Sequence, residues 1–129
     1  MAEPNEQLDI DGETTFSITA IRIHQTLVVT LPADLGFGGM NASLEKISES
    51  LKQKSSKKLI LECSGLQFLD ITEYNKLKLI ADMASFQGIV TYVVGINPGI
   101  AAYLALNDVD LSGIVTRQSL EEILDETSG

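Results

Sequence analysis

Residues 57–86, KKLILECSGLQFLDITEYNKLKLIADMASF, decide how this chain folds. Leu59, Ile60 and Leu61 form an apolar run entered from solvent through Lys57 and Lys58, which predicts a buried strand. Asp70 followed three residues later by Glu73 is a capping-box pattern, with Asp in place of the usual Ser or Thr, so a helix is expected to begin right after Asp70. Along that helix Leu77, Ile80 and Ala84 share one face, flanked by Ala81 and Met83. Asn75, Lys78, Asp82 and Ser85 recur on the opposite side, which predicts a solvent face, and Gln87-Gly88 ends the helix with Gly in its usual position. Thr72 then lies in the first turn. Unpaired backbone N–H groups and the helix dipole favour negative charge there, which makes the Thr72 hydroxyl the candidate switch of the molecule.

Upstream of this stretch, Phe16 to Ile23 alternates imperfectly, the apolar side changing face near Ala20. That predicts a bulge, or a strand covered on both faces near its end. His24-Gln25 separates it from TLVVTL at Thr26 to Leu31, and two short strands about a tight connection imply an antiparallel hairpin. The turn PADLGFGGM, residues 32–40, leads to a helix on which Met40, Leu44, Ile47 and Leu51 form the packed face. Downstream, Ile89 to Val94 reads as another buried strand. Asn97-Pro98 is an N-cap followed by Pro at the first helical position, opening the nearly all-apolar helix GIAAYLAL of residues 99–106. Ile114-Val115 is a last short strand, and Ser119 with Glu122 forms a capping box for a final helix. The order β-β-α-β-α-β-α-β-α gives an α/β fold: one domain with a mixed, mostly parallel sheet, an N-terminal hairpin, and helices packed on the sheet. Residues 1–13, with five acidic side chains and only Leu8 and Ile10 as large apolar ones, read as a loose acidic tail.

Composition narrows the function classes. The chain has 129 residues, 44% of them hydrophobic and 21% charged, which suits one soluble globular domain. Its apolar runs break off well short of the roughly 20 residues a membrane span needs, so no direct membrane insertion is expected. A net charge of −9 argues against nucleic acid or an anionic membrane as partner. The single cysteine, Cys63, lies in the apolar strand; it reads as a buried, inert thiol in a protein of the reducing cytoplasm. His24 is the only histidine, so no metal site is expected, and it reads as a solvated turn residue. No cofactor is indicated. The glycine turn at Gly36, Gly38 and Gly39 lies between a strand and a helix, where backbone amides can cradle phosphate. A dinucleotide fingerprint from Gly36 would, however, need glycine where Asn41 stands. Asp70 and Glu73 are explained by capping without a substrate. The apolar helix is either buried on most sides or presents Ile100, Tyr103 or Leu104 to a partner chain.

LILECSGLQFLDITEYNKL and VVGINPGIAAYLALNDVDL together resemble the STAS domain, the fold of anti-sigma factor antagonists, from about Phe16 to the C-terminus. The second segment is similar to the corresponding G-I-x-P-x-x-A segment of stressosome scaffold members. The resemblance places the domain at residues 14–129 and implies a non-enzymatic regulator that works by switching protein partners. In such proteins a serine/threonine kinase phosphorylates a Ser or Thr just after the Asp at the helix start. Carried over, Asp70 matches that Asp and Thr72 the acceptor of the D-x-S form. Ile71 occupies the acceptor position of the scaffold form and Glu73 that of a frequent glycine. Two readings follow: Thr72 is a phosphorylation site, or Glu73 supplies a permanent negative charge on a fixed scaffold. The implied partners are a kinase, other STAS-domain proteins and further copies of this chain. A STAS subunit of a membrane transport complex and a small-ligand or nucleotide-binding α/β domain are the alternatives.

Overall fold

The computed structural model describes residues 19–33, 39–53 and 56–123. Five strands form one sheet: β1 (Thr19–Ile23), β2 (Thr26–Thr30), β3 (Lys58–Glu62), β4 (Val90–Val94) and β5 (Ile114–Arg117). Three helices connect the last four: α1 (Gly39–Gln53), α2 (Ile71–Phe86) and α3 (Pro98–Leu106). Helical backbone resumes over residues 120–123. The strands lie side by side in chain order; β1 is antiparallel to β2 and every other pair is parallel.

This order has a consequence for packing. Right-handed crossovers that always step in the same direction place their helices on one face of the sheet. Accordingly Leu27, Val29, Leu59, Leu61 and Val93 from the strands pack with Ile47 and Leu51 of α1, Leu77, Ile80 and Ala84 of α2, and Ile100 and Leu104 of α3. Alternate residues point the other way. Val28, Ile60, Tyr92 and Val115 are aligned across four strands. On that second face Ile123 is fully buried against Val28, Ile60, Tyr92 and Val94, and Leu120 and Ile23 pack beside them.

The hairpin turns on His24, whose φ of 56° is the left-handed conformation that two-residue loops require. Its side chain is exposed. β1 pairs with β2 in an unbroken register from Thr19↔Thr30 to Ile23↔Thr26, so no bulge occurs among its described residues. The mixed pattern there has a simpler cause: β1 is an edge strand, and Ile21 is 53% exposed. Phe16 to Ile18, the acidic tail of residues 1–13, and Gly36 and Gly38 lie outside the described residues. In α1, Ile47 and Leu51 are buried and Leu44 packs against the core; the side chain of Met40 is outside the description.

Candidate functional site

The loop from Cys63 to Asp70 is anchored at both ends by apolar side chains. Cys63, Leu66 and Leu69 are each at most 1% exposed. Burial, aided by the charge of neighbouring Glu62, pushes the Cys63 thiol up to about 12, so it stays protonated and inert. Backbone and side-chain bonds pin the loop to its neighbours. The Gln67 N–H donates to the Ala33 carbonyl at 3.0 Å, and Asn97 Nδ2 donates to the Leu66 carbonyl at 3.3 Å. Asn97 also caps α3, its Oδ1 accepting from the Ile100 N–H at 2.8 Å with Pro98 in the first turn. One side chain thus ties the start of α3 to the loop that leads into α2.

At the end of that loop Asp70 adopts an extended backbone and caps α2. Its Oδ1 accepts from the Glu73 N–H at 2.8 Å, and Glu73 Oε1 accepts from the Asp70 N–H at 3.0 Å. Both halves of the capping box are therefore formed. Between these two residues lie Ile71, half-buried, and Thr72, exposed. The Glu73 carboxylate is directed back at the Asp70 amide, while Thr72, one residue earlier, is exposed.

The loop before α2 also carries an exposed aromatic residue. Phe68 is 59% exposed, and its ring lies 6.0 Å from that of half-buried Tyr103. Sequence reasoning passed over Phe68, because a lone aromatic in a loop belongs to no periodic pattern. The other two residues considered on α3 sit elsewhere: Ile100 is 3% and Leu104 8% exposed, both in the core. Lys78 also departs from its expected solvent position. Its side chain is 13% exposed and reaches Asp82 at 2.8 Å and Asp110 at 3.7 Å. Burial holds the Tyr74 phenol above its ordinary value, with Lys78 pulling in the opposite direction, and the hydroxyl donates to the Asp110 carbonyl at 2.5 Å.

Among the described residues no three His, Cys, Asp or Glu side chains converge as metal ligands, and no helix is long and apolar enough to cross a membrane. No curated protein matches the chain in sequence. Solved structures match its fold. An RsbS variant from Moorella thermoacetica superimposes with a TM-score of 0.75 at 22% identity, over 86% of this chain and 94% of that one. The Bacillus cell-fate determinant SpoIIAA in its phosphorylated form gives 0.66 at 15% identity, over 86% and 99%. The murine solute carrier 26 family member A9 anion transporter gives 0.69 at 17%, over 84% of this chain but only 19% of the transporter. The family model of the STAS domain matches residues 17–123, and with the sheet order and the capped α2 described above, this chain belongs to the STAS domain family.

Proposed function

We propose that this protein is a non-enzymatic cytoplasmic regulator whose partner-binding surface is centred on Thr72, and that a serine/threonine kinase controls it by phosphorylating that residue. The observation that carries the reading is exposed Thr72 in the first turn of α2, between the two members of a formed capping box and four residues after exposed Phe68. A phosphate there adds about −1.5 to −2 charge. The helix dipole favours it, whereas the carboxylates of Asp70 and Glu73 repel it, so the modified surface differs sharply in charge from the bare one. Because Glu73 is engaged in the cap, its charge faces the loop backbone, which favours Thr72 over Glu73 as the residue a partner reads. The partners in this reading are the kinase itself, other STAS-domain proteins and further copies of this chain. Their association would bury Phe68 and Tyr103, an aromatic pair of the kind enriched in interfaces.

Mass spectrometry of the protein after incubation with its cognate kinase tests this reading. Phosphate at Thr72 is expected, with partner affinity changed at least tenfold by the modification and by Thr72→Glu. Phosphate confined to other residues, or unchanged partner binding in both Thr72→Ala and Thr72→Glu, would overturn it.

A further inference from the structure

Among the described residues the helix layer ends at α3. α1, α2 and α3 are the crossovers between the four parallel strands, and the chain after β5 turns to the opposite face, where Ile123 is buried. The helix face of β5, an edge strand, therefore borders α3 on one side, and on the other only Gln118 and Glu122 reach it among the described residues. A groove of about 860 Å³ occupies this position. Its floor is Leu77, Val93, Leu104 and Ile114. Exposed Ala101 and Ala105, one helical turn apart on α3, form its side, and Leu111, 55% exposed, stands at its mouth.

We propose that this groove receives an amphipathic helix of a partner protein, with an apolar face flanked by lysine or arginine. The wall made by four-residue β5 spans about 13 Å, the rise of roughly nine helical residues. Small side chains at Ala101 and Ala105 let a second helix axis approach α3 closely. Charge selects the basic flanks. Exposed Asp108 and Glu122, from different parts of the chain, both line the groove. Arg117 lines it too, but its guanidinium carbon lies 5.9 Å from the centre of the Tyr92 ring, which belongs to the second face. Lys78 is matched by Asp82 and Asp110. A net charge of −9 adds long-range attraction for such a helix. Helix-in-groove docking of this kind reads apolar anchors at i, i+3, i+4 and i+7.

The probe is a synthetic 18-residue peptide with leucine at that spacing and lysine elsewhere. It is compared by calorimetry and NMR with the same peptide carrying glutamate for lysine, and with dodecylamine. Saturable binding of the lysine peptide is expected, with shifts centred on Ala101, Ala105 and Ile114, and at least tenfold weaker binding of the glutamate peptide. Ala105→Trp fills the groove from an exposed position and should weaken binding at least tenfold. The Asp108→Asn/Glu122→Gln pair should weaken it several-fold and reduce its salt dependence. Absence of saturable binding, shifts centred elsewhere, or equal binding by Ala105→Trp protein of unchanged circular dichroism would overturn the proposal. Tight binding of dodecylamine without the peptide would also overturn it, in favour of a small-amphiphile site. Thr72 variants leave this binding unchanged, which separates it from the surface proposed above.

Discussion

Gly95 leaves β4 with a φ of +78°, and a Cβ built on it would lie 2.9 Å from the Ser64 Cβ and 3.0 Å from the Ser64 nitrogen. Strain and collision act together, since the backbone conformation disfavours any L side chain and the neighbour includes main-chain atoms. Gly95→Ala is expected to cost about 2 kcal/mol or more, read as a lowered urea midpoint at unchanged m-value. Thr91 presents the converse case. It is 1% exposed, and its Oγ1 finds no hydrogen-bond partner among the described residues. Thr91→Val keeps the shape and removes an unsatisfied hydroxyl, so a gain of about 1 kcal/mol is expected, raising Tm by several degrees. A fall in Tm would show that the hydroxyl is bonded in solution. Local chemistry of this sort is only partly written in the residue order. His24-Gln25 is legible as a tight turn from its place between two strands, but nothing near Gly95 in sequence announces Ser64 as its neighbour.

At the scale of elements, α2 is the part whose ends were most legible, because its stop and start signals are local. Asp70 with Glu73, and Gln87 with Gly88, each specify backbone geometry within four residues, and the structure ends the helix at those positions. Asp70→Ala removes the acceptor for the Glu73 N–H and should cost about 1 kcal/mol, whereas Asp70→Asn should cost much less. A thermal denaturation series of the two variants distinguishes them; equal losses would mean that the charge, not the cap, matters. The middle of α2 was less legible. Lys78 falls on the polar side of the helical wheel, yet it is drawn in by Asp110, a residue 32 positions away on the loop after α3. Tyr74 is held by the same loop. The Tyr74 phenol is raised chiefly by burial and the Lys78 ammonium chiefly by its hydrogen bond to Asp82. Both folded values lie above the ordinary ones of 10.0 and 10.5. Their contribution to stability is therefore complete below about pH 10 and is lost as pH rises through the folded values. Tyr74→Phe should cost about 1 kcal/mol at pH 7, from the lost bond to the Asp110 carbonyl, and should flatten the fall in stability above pH 10. Urea midpoints from pH 7 to 11 measure both; an unchanged alkaline slope would remove Tyr74 as a cause.

Across the whole molecule, strand type and crossover pattern follow from alternating apolar runs and helices, which is why the mixed sheet could be anticipated before any contact was known. The division of helices between the two faces could not. It depends on which strand each crossover reaches, and the helical residues described after β5, 120–123, are too few to show a face. The structure has that turn cover part of the second face with Ile123, 0% exposed against Val28, Ile60, Tyr92 and Val94, and with half-buried Leu120 beside it. Truncating a buried isoleucine removes its own transfer free energy and leaves a cavity among four strand residues that cannot collapse onto one another. Ile123→Ala is therefore expected to cost about 3 kcal/mol, although Ile123 stands only six residues before Gly129. Ile123→Asp, which buries a charge there, should expose the face altogether and bind an apolar dye such as anilinonaphthalene sulfonate. Urea denaturation followed by circular dichroism measures the first effect and dye fluorescence the second. A loss of only a few tenths of a kcal/mol in Ile123→Ala, with no dye binding in Ile123→Asp, would mean that the second face is covered by other residues and that the sheet does not depend on its last helical turn.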